Sequence, residues 1–176
     1  MYVSKKLLTL LVLFAAVTVT VSTGAFSSAA ADRGAEVVTA SDLDGAYLGL
    51  TPSEGPNGAF AGDADGDGTL ELALDGGAAG VLGTGPNPDA VTTVDRVFDV
   101  TNRGTGDVDV WIDDGGVDAV TFSTAEADHG TLEGSANAYT LSPGESVPVG
   151  LVIDAGGEEA GVALLETVTV HATASG

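Results

Sequence analysis

The sequence predicts an all-β protein, an antiparallel β-sandwich behind an N-terminal signal segment. Three observations lead there. Short runs rich in Val, Thr and Leu alternate with polar residues at a period of two, the pattern of a half-buried strand. Glycine occurs 26 times and gathers with Asp, Asn and Pro between those runs: Asp44-Gly45, Gly55-Pro56-Asn57-Gly58, Asp75-Gly76-Gly77, Asp114-Gly115-Gly116, Pro143-Gly144 and Gly156-Gly157. These residues dominate turns because they tolerate or pre-set the φ angles that turns require. After the signal, no stretch sustains a helical period with a cap, and strands spaced by Gly and Pro turns favour a sandwich.

The elements follow in chain order. Lys5 and Lys6 precede an apolar run from Leu7 to Val21, then the small residues Ser22, Thr23, Gly24 and Ala25. That charged, apolar, small-residue order is a secretory signal. The 15 residues from Leu7 to Val21 fall short of the roughly 20 that a helix needs to cross a bilayer core. Cleavage after Ala25 is favoured, with Thr23 at the −3 position, and cleavage after Ala31, with Ala29 upstream, also fits. Residues 1–25 are therefore read as a signal peptide, 26–40 as a free N-terminal segment, and 41–176 as the sandwich domain. No second apolar run of membrane length follows, so the mature product is expected to be secreted, extracellular or cell-surface, without stable membrane insertion.

Strands are expected at Glu36–Ala40, Ala46–Leu50, Thr69–Leu74, Asp95–Thr101, Val108–Ile112, Val117–Ser123, Ala138–Leu141, Ser146–Ile153 and Ala163–Ala172. In the last, Leu165, Thr167, Thr169 and His171 would share one face. A short helical turn is the best reading of Thr124 to Asp128. Thr101-Asn102-Arg103-Gly104-Thr105-Gly106 supplies residues that accept positive φ, for a hairpin or a looser sandwich loop. Leu141-Ser142-Pro143-Gly144-Glu145 places Pro then Gly at the two centres of a type II turn.

Charge narrows the function. The chain holds 26 Asp plus Glu against 5 Lys plus Arg, a net charge of −21. Residues 1–31 contain both lysines and no carboxylate, so from Asp32 onward only Arg33, Arg96 and Arg103 oppose all 26 acidic residues, leaving −23. Such a surface repels phosphate, and nucleic-acid binding, which draws its affinity from Lys and Arg, is excluded. The composition resembles proteins of salt-loving archaea, whose dense carboxylates hold hydrated cations. The apolar share of 44 % nevertheless provides a core of Val, Leu and Ala, so this is not a disordered acidic tail. The absence of cysteine removes disulfides and thiolate metal sites.

The sharpest chemical signal is Asp63-Ala64-Asp65-Gly66-Asp67-Gly68-Thr69-Leu70-Glu71. Asp63, Asp65 and Asp67 can turn toward one point while Gly68 admits the bend, as the first half of a calcium loop gathers hard oxygen ligands. Thr69 would add its carbonyl. A helix–loop–helix calcium hand needs a bidentate Glu at loop position 12, which here is Leu74. The metal reading is thus a looser calcium loop on a β scaffold, completed by Glu71 or a remote carboxylate; the other reading is a solvated loop arising from acidic composition. Calcium is the one cofactor indicated.

The pairs Asp42 with Asp44, Asp107 with Asp109, and Asp113 with Asp114 read as solvated face, and His129 and His171 as loop and strand residues rather than ligands. The sequence contains no His-Glu-x-x-His run, serine elbow, phosphate loop or dinucleotide fingerprint, so no catalytic residue is assigned and an enzyme is not expected. Trp111, the sole tryptophan, alternates with Asp109 and Asp113 against Val108, Val110 and Ile112. It reads as an outward sheet residue or as an interface anchor.

Ser22-Thr23-Gly24-Ala25-Phe26-Ser27, the run Phe98-Asp99-Val100-Thr101-Asn102-Arg103-Gly104, and the turn Leu141-Ser142-Pro143-Gly144-Glu145-Ser146 together resemble the TasA/camelysin group of secreted β-sandwich proteins. Its archaeal relatives include bundling-pilus subunits and small haloarchaeal secreted proteins. In that group a signal ending in Gly-Thr-x-Ala-like residues is followed by an aromatic and a polar residue, and a strand Phe-x-Val-x-Asn-x-Gly leads into the next.

The resemblance implies a jelly-roll-like sandwich and a homopolymer formed by N-terminal strand exchange, with the donor at Phe26 to Val38. Some camelysin relatives are described as peptidases, but the residues here carry no catalytic set. The physical logic is general: an edge strand is a template for another chain, strand addition satisfies its backbone, and a contact between unlike patches propagates. The expected function is a structural subunit of an extracellular filament, pilus or biofilm-matrix fibre assembled in high salt. The alternative is a monomeric secreted or cell-surface module for calcium binding or adhesion.

Because repulsion among the carboxylates lengthens in range as salt is removed, the mature chain should lose its β-type circular dichroism on transfer from molar salt to dilute buffer. An unchanged spectrum overturns the salt-dependence expectation.

Overall fold

A computed structural model describes residues 42–43, 45–76, 80, 82–125, 130–159 and 161–176. The chain divides into Met1–Val37 and Val38–Gly176, and everything described belongs to the second unit. The expected signal, the N-terminal segment 26–40 with its strand Glu36–Ala40, and Asp44, His129 and residues 126–128 lie outside the described residues. Among those described, no helix is long and apolar enough to cross a membrane.

The described residues form nine strands, all paired antiparallel: β1 (Leu48–Pro52), β2 (Ala61–Gly62), β3 (Glu71–Leu72), β4 (Val91–Asn102), β5 (Val108–Asp113), β6 (Val120–Thr124), β7 (Tyr139–Leu141), β8 (Ser146–Asp154) and β9 (Thr169–Ala174). Among the described residues the only helical elements are 3-10 turns at Pro56–Phe60 and Ser135–Asn137. One sheet has the order β1-β4-β8-β6, a second β7-β5-β9, and β2 with β3 makes a small hairpin ladder. The all-β, antiparallel character read from the sequence therefore holds.

The two larger sheets bury their apolar residues in one cluster. Val97, Phe98, Val100, Phe122, Val149 and Leu151 come from the four-stranded sheet, and Val110, Ile112 and Leu141 from the three-stranded one. Each is at most 2 % exposed, and burying a side chain of this size contributes roughly 1.5–3 kcal/mol. β5 shows the period of two directly, with Val110 and Ile112 buried between Asp109, Trp111 and Asp113.

The register of β4 against β8 jumps between Val94↔Leu151 and Phe98↔Val149. Four steps on one strand face two on the other, so β4 carries a bulge centred on Arg96, whose φ of 54° lies in the left-handed region. The bulge turns both Val97 and Phe98 inward. Opposite it stands Gly150, where a Cβ would lie 2.9 Å from the Val94 carbonyl oxygen and 3.1 Å from the Asp95 Cα, so β8 needs glycine there.

The chain crosses from one sheet to the other between β4 and β5, so the Thr101–Gly106 segment connects two sheets and is not a hairpin. Asn102 anchors the crossing. It is 1 % exposed, its Nδ2 donates to the carbonyls of Gly106 at 2.8 Å and Leu141 at 2.9 Å, and its Oδ1 accepts the Gly104 N–H at 2.9 Å. Its own backbone N–H donates to the Glu145 carbonyl and its carbonyl accepts the Gly144 N–H at 2.7 Å. The Pro143-Gly144 turn forms as expected, with Gly144 at φ 81° and the Glu145 N–H on the Ser142 carbonyl.

The segment 130–134 ties the sheets on another side. Leu132, 2 % exposed, donates its N–H to Phe122 of β6 and accepts the N–H of Ile112 of β5. Glu133 Oε1 takes the Phe122 N–H at 2.7 Å. Burial, reinforced by nearby Asp114, raises the Glu133 carboxyl above its ordinary range even though the Phe122 bond opposes the shift.

Three expectations need correction. Residues 163–168 do not join the last strand, because the consecutive residues Leu164 and Leu165 both pack half-buried against the core, which a pleated strand with alternating faces forbids. Of the expected Thr69–Leu74 strand, Glu71 and Leu72 pair with β2 and Ala73 adds one bond to the Phe60 carbonyl, while the Leu70 N–H is held by the Asp42 side chain. Thr124 ends β6 rather than opening a helical turn.

Replacing Asn102 with Ala strands the buried Leu141 carbonyl and removes two part-buried bonds, to the Gly106 carbonyl and the Gly104 N–H; leaving a buried group unmade costs roughly 1–3 kcal/mol. Asn102→Ala should lower unfolding free energy by about 2–4 kcal/mol in denaturant titration at high salt. Asn57→Ala, which removes one exposed bond to the Asp95 carbonyl, should cost less than about 1 kcal/mol.

Candidate functional site

The loop between β2 and β3 starts from a two-rung ladder, Ala61↔Leu72 and Gly62↔Glu71, which pins both of its ends. Its sequence then folds on its own carboxylates. Asp63 accepts the Gly66 N–H on Oδ1 at 2.7 Å and the Gly68 N–H on Oδ2 at 3.0 Å. Asp65 Oδ1 accepts the Asp67 N–H at 3.1 Å, and Asp67 Oδ1 the Thr69 N–H at 2.8 Å. Such bonds from Asp to the backbone two residues on are a turn-forming habit of this side chain. Gly66 and Gly68, at φ 79° and 89°, supply the left-handed positions that close the coil.

The result is convergence. One carboxylate oxygen from each of Asp63, Asp65 and Asp67 lies within 4.8 Å of the other two. Two oxygens on opposite sides of a calcium ion are separated by about 4.6–5.2 Å, so one ion can touch all three. Each carboxylate oxygen has two acceptor sites, and the backbone bonds take one at most on each, so ligation and loop closure are compatible. The Thr69 N–H bond, followed by its hydroxyl, holds the Asp67 carboxyl below the ordinary range. The loop is exposed, which suits a hydrated cation.

Glu71 folds back over the loop and takes the Ala64 N–H on Oε2 at 3.2 Å, but it stands outside the convergent group. Thr69 is positioned through its N–H. The structure thus brings together Asp63, Asp65 and Asp67, with Glu71 as a neighbour.

Asp42, read from the sequence as solvated face, is half-buried and belongs to this site. Its Oδ2 accepts the Leu70 N–H at 3.3 Å, its N–H donates to the Gly68 carbonyl, and its carbonyl accepts the Leu50 N–H of β1. It fastens the loop to the four-stranded sheet. The 28-residue separation between Asp42 and Leu70 left no local signal for this role.

The other acidic pairs also do structural work. Asp109 Oδ1 accepts the hydroxyls of Thr140 at 2.6 Å and Ser175 at 3.2 Å, while Asp113 and Asp114 cap the N–H groups of Gly115 and Gly116 at 2.9 Å. Trp111 lies on the face opposite Val110 and Ile112, as alternation places it, and stacks on its cross-strand partner His171 with ring centroids 4.9 Å apart and planes 6° from parallel. Apart from the loop, a cleft of ≈ 720 Å³ is bordered by Leu72, Leu74, Val120, Ile153 and Leu164; none of the sequence-predicted ligands lines it.

Compared with known proteins, the chain matches no family model, no curated protein and no solved structure.

A carboxyl whose folded pKa is lowered stabilises the fold above its unfolded value and loses that contribution as pH falls through the folded value. For Asp67 the unfolded value is 3.8. The metal-free protein should therefore lose thermal stability on acidification below about pH 4, and Asp67→Asn should flatten part of that acid limb by lowering the neutral plateau toward the acid value. An acid limb identical in the two proteins contradicts the assignment.

Proposed function

We propose that this chain is a structural β-domain of the cell exterior, a jelly-roll-like sandwich suited to high salt, whose Asp63–Glu71 loop binds calcium. The observation that carries this reading is the convergence of three carboxylates on one point, in a loop whose backbone bonds hold them there without an ion. Bringing like charges together costs energy in water, and a divalent cation offsets that cost while cross-linking the loop. Glu71, which takes the Ala64 N–H beside the cluster, is the candidate for a further ligand, and Asp42 holds the loop on the sheet. With hard oxygen donors and glycine at the bend, calcium suits the group better than a metal that favours nitrogen or sulfur.

A second reading, polymerisation by strand addition, is favoured by the position of β9. It stands at the edge of the β7-β5-β9 sheet and presents six residues, Thr169–Ala174, along which another extended segment could pair. The donor in this reading is the 26–40 segment of a second copy. Charge repulsion between subunits would then require brine or bridging cations for assembly, and the calcium loop is a candidate bridge.

Both readings meet in one experiment on the mature chain from Phe26. Calorimetric titration with calcium in molar sodium chloride should show one site per chain, lost in the Asp65→Asn/Asp67→Asn double variant; absence of saturable heat in the wild type rejects the calcium site. Negative-stain electron microscopy of the same samples should show filaments that disappear on deletion of residues 26–40 if strand addition operates. Compact monomers in every condition reject polymerisation.

A further inference from the structure

We propose that the solvent-facing side of the β7-β5-β9 sheet, centred on the stacked Trp111 and His171, is a binding surface for a neutral glycan. The proposal is independent of the calcium loop and of strand addition.

Alternation along β5 sends Val110 and Ile112 into the core and Asp109, Trp111 and Asp113 to the other side. Pairing with β9 sets His171 directly beside Trp111, and the two rings stack. On the opposite flank the ladder between β5 and β7 stops at Val110↔Tyr139, and the residue before Tyr139 is Ala138. Beyond that rung the flank of β5 is taken by the 132–134 segment, where Ile112 bridges Glu133 and bonds Leu132 and Gly134; the indole, stacked on a ring at one face, remains only half-buried. Acceptors flank it along the strand: Asp109, which already gathers the hydroxyls of Thr140 and Ser175 on Oδ1, and Asp113 two residues beyond.

This combination selects a chemical class. Ionised carboxylates only accept hydrogen bonds, so the ligand must be rich in donors. An indole face prefers an apolar or weakly positive C–H surface. A pyranose ring supplies both at once, with a C–H face and equatorial hydroxyls. Charge refines the choice: a chain at −21 repels acidic polysaccharides, and a simple cation would find carboxylates anywhere on this surface and gain nothing special from the single tryptophan. Neutral sugar hydroxyls remain, held by a few placed polar groups beside an apolar contact, the usual composition of a small-ligand site.

Trp111 is the only tryptophan, so intrinsic fluorescence of the full chain reports this face alone. The chain should be titrated in molar salt with maltohexaose, cellohexaose, xylohexaose and mannohexaose, with heparin and a hexa-arginine peptide as charged probes. The expected result is a saturable change with at least one neutral oligosaccharide, at a Kd of about 1 mM or tighter. Asp113→Asn, which keeps an oxygen for the Gly115 N–H and so preserves the turn, should weaken it several-fold. Trp111→Phe, followed by calorimetry, should weaken it about tenfold or more while leaving the circular dichroism spectrum unchanged. No response to any neutral sugar at about 10 mM, a response confined to heparin or the arginine peptide, or affinity indifferent to both variants overturns the proposal.

Discussion

The hydrogen bonding of Asn102 is the constraint on which the rest of this fold depends. One buried amide closes the crossing loop through Gly104 and Gly106 and reaches Leu141 at the end of β7, while its backbone seizes the Pro143-Gly144 turn that launches β8. The last residue of β4, the return from the three-stranded sheet and the first residue of β8 are thereby set against one another. The side chain spends both amide hydrogens and its oxygen on backbone groups, of which the Leu141 carbonyl would otherwise be buried without this partner, and a buried group is expensive to leave unmade. No other side-chain type offers two donors and an acceptor at this length without a charge.

How far the sequence reveals this fold depends on the range of the interaction involved. Val108–Ile112 and Ser146–Ile153 were readable to within a residue of β5 and β8, because alternation and a dense apolar run are local patterns decided by burial. The Pro-Gly turn was readable for the same reason. The bulge at Arg96 was not, since nothing in Asp95-Arg96-Val97 announces that two residues fall out of register; only the approach of Gly150 on the neighbouring strand makes room for it. The candidate metal site divides similarly. Asp63, Asp65 and Asp67 are legible as spacing, whereas Asp42 enters through a bond spanning 28 residues. Leu164 and Leu165 misled, because a β-prone run was recruited to cover the core rather than to pair.

The carboxylates have a second occupation besides conferring charge. Asp65, Asp67, Asp113, Asp114 and Asp154 each accept the N–H two residues ahead, so much of the acidic composition is also turn-making composition. A surface selected for negative charge would gain tight connections from aspartate that glutamate, with its longer side chain, serves less well. That dual use explains how a chain with so little helix organises many reversals, and why acidic residues cluster where glycine does.

The bulge in β4 has a consequence for how this protein can change length. Because it adds two residues rather than one, Val94 before it and Phe98, Val100 and Asn102 after it keep the same parity and all point inward. Deleting one residue from Asp95 to Val97 would send the second half of the strand to the wrong face, Asn102 with it, whereas removing two would restore a plain ladder with Phe98, Val100 and Asn102 still inward, at the loss of the buried Val97 side chain. Over evolutionary time a change of length in this strand is therefore tolerated in even steps, and a two-residue step at the bulge disturbs the interior only at Val97.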